Sequence, residues 1–207
     1  MSEAFARHGL SVGEDVLRRA EPAARFAIDN AQADRSSDAD RGGRYFNHIL
    51  DSAGVARGAA RDAALAEVYA YHMEHNLWEQ VPDDVVPALT RLRAAGLKLA
   101  VASNANGVLE RCLGRIELAH FFDVICDSAL EGVEKPDPRF FRILLERTGS
   151  RADSTLHVGD LYHVDVLGAR SAGLHPLLLD RDNLYEGFDV ERVTSLEQVA
   201  AIAAPRP

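Results

Sequence analysis

The hydrophobic pattern of the chain changes character near residue 78, and that change limits the fold more than any other feature. Beyond it, short apolar runs alternate with segments of helical spacing. The runs lie at residues 97–102, broken by Lys98, and at 122–126, 155–158 and 174–179. Runs this short suit strands buried on both faces rather than helices. Between them, Val86, Leu89, Leu92 and Ala95 form one helical stripe, and further helices are expected over 108–116, from Pro138 onward behind Asp137, and over 163–172. Asp83 or Asp84 can cap the first of these helices, Pro87 falls in its tolerant first turn, and Gly96 stands at its stop. Alternating strands and helices predict an α/β unit with a mostly parallel sheet, whose polar sites gather at the carboxyl ends of the strands.

Residues 2–77 show helical spacing without a credible strand. Val16, Leu17, Ala20, Ala23, Ala24 and Ala27 continue one stripe, which Pro22 is expected to kink or divide. Residues 31–43, rich in Asp, Ser and Arg, predict a loop that contains Asp38-Ala39-Asp40. Tyr45, Phe46, Ile49 and Leu50 then mark a helix ending near Gly54, and residues 59–77 supply the last one. This half reads as a small helical bundle.

Length allows one core domain carrying a smaller one: 207 residues, with hydrophobic residues at 47%, enough for a real core. The 23 Lys and Arg against 32 Asp and Glu leave a net charge of -9, which repels polyanions and argues against nucleic acid or an acidic membrane as partner. No apolar run approaches the ~20 residues of a membrane span, and the opening residues lack the basic-then-apolar order of a secretory signal. Cys112 and Cys126 stand alone and read as small buried side chains in a reducing compartment, so a cytoplasmic location is expected. Dinucleotide, P-loop, serine-hydrolase and zinc-protease signatures are missing from the sequence.

Three strand ends carry polar groups in a telling order: Ser103-Asn104, then Glu134-Lys135-Pro136, then Gly159-Asp160 with Asp165. At one edge of a parallel sheet these would bring together a hydroxyl, an ammonium and two carboxylates. That set suits a phosphoryl group and a divalent metal, with Lys as a point charge, Ser as a donor and Asp as a hard oxygen ligand.

In these motifs the chain resembles the haloacid dehalogenase-like (HAD) hydrolases, in the branch with a helical cap inserted after the first core strand. The likeness rests on Leu99-Ala100-Val101-Ala102-Ser103-Asn104, Glu134-Lys135-Pro136-Asp137-Pro138, and His157-Val158-Gly159-Asp160 followed by Asp165. It implies a Rossmann-like parallel sheet flanked by helices over residues 78–207, and an α-helical cap over 1–77. By that resemblance Ser103 and the backbone of Asn104 hold phosphate, and Lys135 offsets the charge of nucleophile and phosphate. Asp160 ligates Mg²⁺, with Asp165 supporting the metal. The implied activity is Mg²⁺-dependent hydrolysis of a small phosphorylated metabolite through a phosphoaspartate.

The family's nucleophile is an Asp ending the first, central core strand, between the strands that end at Ser103 and Gly159, and no such segment precedes the helical half here. Asp38-Ala39-Asp40 has the spacing but follows no strand. Leu177-Leu178-Leu179-Asp180-Arg181-Asp182 follows an apolar run but lies after the acidic motif, so Asp180 could attack only in a permuted sheet. The expectation is therefore a core lacking that strand, from a late start site, from a truncation, or in a sheet closed by pairing the flanking strands directly, with weakened Mg²⁺ binding. The alternatives are an inactive truncated remnant or a non-catalytic binding protein, and, further off, a haloacid dehalogenase. Specificity would come from cap residues such as Arg44, Tyr45, His72, His75, Asn76 and Trp78.

Overall fold

Amphipathic spacing in the first half becomes four helices in the computed structural model, which describes residues 1–31, 38–75, 77 and 79–204. They are α1 (Ser2–Arg7), α2 (Glu14–Asn30), α3 (Asp38–Ser52) and α4 (Ala59–His75), all in the first of two compact units, Met1–Trp78. Their buried faces meet in one cluster around Phe5, Leu17, Phe46, Leu50 and Leu65. Two expectations need correction. Helix α2 runs unbroken through Pro22, because Leu17 and Ala20 on one side of the proline and Ala24 on the other pack into the same core. Helix α3 already begins at Asp38, so Asp38-Ala39-Asp40 is helical rather than part of a loop, and residues 32–37 lie outside the described residues. The Tyr69 hydroxyl of α4 donates to the Gly42 carbonyl of α3 at 3.3 Å.

The second unit, Glu79–Pro207, holds the strands. Strand β1 (Ala100–Ser103) pairs in parallel with β2 (Val124–Asp127), so Ser103 lies opposite Asp127. Strands β3 (Leu156–Gly159), β4 (His175–Leu179) and β5 (Arg192–Val193) form a second parallel sheet in that order. β1 and β3 share no ladder. The four apolar runs thus become β1 to β4, each within a few residues of its expected place. β5 is too short to leave a periodic signal.

Helices cover the strands: α5 (Val85–Ala94), α6 (Leu109–Arg115), α7 (Ser128–Glu131), α8 (Pro138–Thr148), α9 (Leu167–Ser171) and α10 (Leu196–Ala203). Ala88 and Leu92 of α5 pack on Ala200 of α10, over Leu97 and Leu99. Helix α8 joins the two sheets. Its Phe140 and Leu144 pack with Cys126, Ala100 and Ala102 of β2 and β1, while its Phe141 packs with Ala169 of α9 and with Leu174 just before β4. Asp137 caps α8, its side chain accepting from the Arg139 N–H at 2.8 Å. Asp84 stands at the N-cap of α5 but makes no cap bond. Its carboxylate instead accepts from the Leu196 N–H at 2.7 Å and from Arg181 at 3.0 Å, a long-range tie that outcompetes the local one. No helix among the described residues is long and apolar enough to cross a membrane.

Candidate active site

Parallel strands of one layer end on one edge, and the segment 134–136 connects the ends of β1 and β3 there. Asn104, directly after β1, clips onto the backbone of Lys135: its Nδ2 donates to the Lys135 carbonyl at 2.9 Å, and its Oδ1 accepts from the Lys135 N–H at 2.8 Å. The peptide between Lys135 and Pro136 is cis. The Lys135 side chain, 9% exposed, then donates from Nζ to Asp165 Oδ1 at 2.7 Å. A lysine ammonium has three N–H donors, so this bond leaves two for a ligand.

Asp165 reaches that position because the turn after β3 is tight. The backbone passes through a short π-helical turn, Tyr162–Val166, before α9 begins, and this folds the carboxylate back under the end of β3. A Cβ at Gly159 would stand 2.1 Å from Asp165 Cγ, so only glycine admits the arrangement. Likewise, a Cβ at Gly168 would meet the Phe141 ring at 2.8 Å and the Pro136 Cα at 3.0 Å, which presses α9 against α8 and the lysine segment.

Burial works to raise the Asp165 pKa, but the Lys135 charge and hydrogen bonds from His157 and Lys135 outweigh it and hold the carboxyl well below the ordinary range. Its oxygens are already occupied: Oδ1 faces both Lys135 Nζ and His157 Nε2, and Oδ2 accepts from the Leu161 N–H at 3.1 Å.

Ser103 differs from its neighbours. Its Oγ comes no closer than 3.5 Å to the Asn104 carbonyl, a distance too long to hold the hydroxyl. It is therefore available to a ligand. Asp160 is exposed just past the end of β3. Of the five residues singled out from the sequence, Asn104, Lys135 and Asp165 are thus bonded to one another, Lys135 linking the end of β1 to the turn after β3, while Ser103 ends β1 and Asp160 directly follows β3.

The donor set fits Mg²⁺ poorly. Mg²⁺ wants near-octahedral oxygen ligands, yet both Asp165 oxygens already accept hydrogen bonds inside the protein. No cluster of three or more metal-ligating side chains occurs among the described residues.

Asp180 is not a nucleophile in a permuted sheet. Fully buried after β4, it accepts from the N–H groups of Leu184 at 2.8 Å and Tyr185 at 3.0 Å and from Arg192 at 2.7 Å, and so ties a loop. Of the cap candidates, Tyr45 in α3 donates to Glu21 at 2.8 Å and His75 in α4 stacks on Tyr71, while Asn76 and Trp78 lie outside the described residues.

Some positioning residues escaped the sequence reading. Asp127 accepts from the Gly107 and Leu109 N–H groups at 2.9 and 3.2 Å, and the Ser128 hydroxyl accepts from the Ala105 N–H at 3.0 Å, so this pair shapes the loop that follows Ser103. A signal existed: like Ser103-Asn104, the pair directly follows an apolar run.

Comparison with known proteins agrees with this geometry. The haloacid dehalogenase-like hydrolase family matches residues 3–173. The mouse haloacid dehalogenase-like hydrolase domain-containing protein 3 is 35% identical over 132 residues, 64% of this chain and 52% of that protein. A phosphoserine phosphatase from Thermus thermophilus is 37% identical over 139 residues, 67% of this chain and 54% of its own. The chain thus spans about half the length of such curated relatives. Among solved structures, magnesium-bound YfnB of Bacillus subtilis superposes with a TM-score of 0.71 at 19% identity, over 97% of this chain and 87% of that one. The family match covers most of the sequence: the chain belongs to the haloacid dehalogenase-like hydrolases.

Proposed function

We propose that this chain forms the phosphate-handling part of a phosphatase acting on a small phosphorylated metabolite. Residues 78–207 serve as the core, and residues 1–77 as the helical cap that selects the substrate. The observation that carries the reading is Lys135, a buried ammonium with two unspent donors, clipped through its backbone to Asn104, the residue after Ser103. In this scheme the Ser103 hydroxyl and the Asn104 backbone N–H bind phosphoryl oxygens, and Lys135 offsets the charge that gathers there. Asn104 contributes through its clip, which keeps Lys135 in register with β1. The attacking carboxylate would come from a strand lying between β1 and β3, whose facing edges share no ladder. Phosphatase names among the relatives support the reaction class.

A second reading, a non-catalytic phosphate-binding protein or remnant, draws on a specific observation. Of the carboxylates discussed above, Asp165 is bonded through both oxygens to Lys135, His157 and Leu161, and Asp180 ties a loop. The test separates the two. The 207-residue chain, and the product of the same gene with any in-frame upstream codons, are assayed with a panel of small phosphomonoesters, with and without Mg²⁺. Turnover that Lys135→Ala lowers by about a hundredfold or more supports the phosphatase. Phosphate binding without turnover in either protein supports the second reading, and turnover indifferent to Lys135→Ala removes the proposed site.

A further inference from the structure

His157 takes no part in the scheme above, yet it is bound to its centre. It lies in β3, 8% exposed, with its ring edge-on to Phe141 at a centroid distance of 5.0 Å. Its Nε2 stands 3.2 Å from Asp165 Oδ1, the same oxygen that receives Lys135 Nζ at 2.7 Å. A branched apolar side chain would fill a buried strand position without the cost of desolvating an imidazole. The imidazole is matched instead to a carboxylate whose second oxygen is fixed by the Leu161 N–H.

Asp165 is thereby held at both ends. Leu161 fixes Oδ2 from the turn, His157 fixes Oδ1 from the strand, and the carboxylate has little freedom left to follow the lysine. Lys135 carries a flexible four-carbon stem, so the place of its ammonium depends on the place of its anchor.

We propose that His157 is a positioning residue that sets the Lys135 ammonium through Asp165, aiming its two unspent donors at the sheet edge. The purpose of that aim rests on the phosphate-handling reading given above. The mechanical claim does not.

The chain has two lysines, Lys98 and Lys135, which makes the claim measurable without any activity. Lys98 is exposed, donates to the Thr148 carbonyl at 2.8 Å, and serves as the internal reference. Reductive methylation with labelled formaldehyde, followed by NMR or peptide mass spectrometry, gives the rate at each. Wild-type Lys135 should react more slowly than Lys98, and His157→Leu should speed Lys135 by about tenfold, the factor expected from losing one hydrogen bond to a charged group. The Lys98 rate should stay the same. His157→Gln, whose amide reaches the Nε2 position, should restore the slow rate, while the shorter His157→Asn should not. Leu144→Ala, which opens a cavity in the same unit away from this cluster, should lower Tm and leave the Lys135 rate unchanged.

A Lys135 rate unaffected by His157→Leu and His157→Asn, or raised equally by Leu144→Ala, overturns the proposal. If His157→Leu does not fold, the Gln and Asn pair decides alone. A positive labelling result in a protein without phosphatase activity keeps the positioning role and removes the phosphatase. Activity dependent on Lys135 together with an indifferent His157 does the reverse.

Discussion

Among the described residues each compact unit buries one lysine or arginine, and the two are buried for different ends. Arg61, 1% exposed in the helical unit, bonds to the Val55 carbonyl at 2.8 Å, the Asn47 carbonyl at 3.0 Å, Asn47 Oδ1 at 2.7 Å and Asp51 at 2.6 Å. All its partners lie within 14 residues, on α3 or the turn after it, and its one carboxylate partner is 41% exposed. It closes a helix end. Lys135 has a buried carboxylate 30 residues away and keeps two donors to spare. Burial of charge alone therefore does not mark a site. Arg61 is turned to the groups of its own helix end, although its Nε has no partner, and it holds structure; an ammonium bonded across to another strand end, with donors left over, can act on a ligand.

The sharpest way to break this comparison is to displace the carboxylate that Lys135 needs. Gly159→Ala places a methyl group inside Asp165, and we expect a loss of about 3–5 kcal/mol in urea unfolding, as for a buried ion pair parted from one side. A near-neutral result would mean that the turn after β3 moves freely. Lys135→Met should cost a similar amount, about 3–5 kcal/mol, by leaving Asp165 buried and uncompensated. Adding Asp165→Leu should recover much of that stability while phosphate binding stays lost. Arg61→Met should cost less, about 2–3 kcal/mol, because its anionic partner is already in water, and it should leave the Lys135 labelling rate alone.

Acid distinguishes the two cations more gently. Hydrogen bonds from Arg57 and Arg61, against a smaller opposing effect of burial, bring the Asp51 pKa down to about 2. A folded pKa below the unfolded one contributes stability that is complete above about pH 4 and lost as the pH falls toward the folded value. Asp51 should therefore release its contribution between about pH 4 and 2. Asp165, also depressed, acts with the same sign, its contribution complete above the unfolded pKa and lost as the pH falls below it. Carboxyl-carbon NMR titration checks both, and either carboxyl titrating at or above the ordinary carboxylate value would contradict the prediction. The smallest effect is expected at Asp137→Ala, about 1 kcal/mol for one lost helix cap, read by thermal unfolding.

Much of the site was legible before any coordinates. Ser103, Lys135 and Asp160 each follow an apolar run or open a helix, and such positions are marked by local pattern. The roles of Asp165 and His157 were not legible. Their pairing depends on a π-helical turn and on a missing Cβ at Gly159, neither of which periodicity reports. Asp84 shows the same limit. Its place before an apolar stripe predicts a cap, and a loop more than a hundred residues away claims the carboxylate instead.

From the amino acids alone came the order of strands and helices, the helical first half, the three strand-end motifs and the family they resemble. These rest on spacing within a turn or a strand, where each residue meets its near neighbours whatever the rest of the chain does. Tertiary structure alone decided that β1 and β3 share no ladder, that Asp165 turns inward to Lys135, and that Asp180 ties a loop. Each of those outcomes depends on which groups the folded chain brings within bonding distance and which it removes from water. No run of neighbouring residues encodes that.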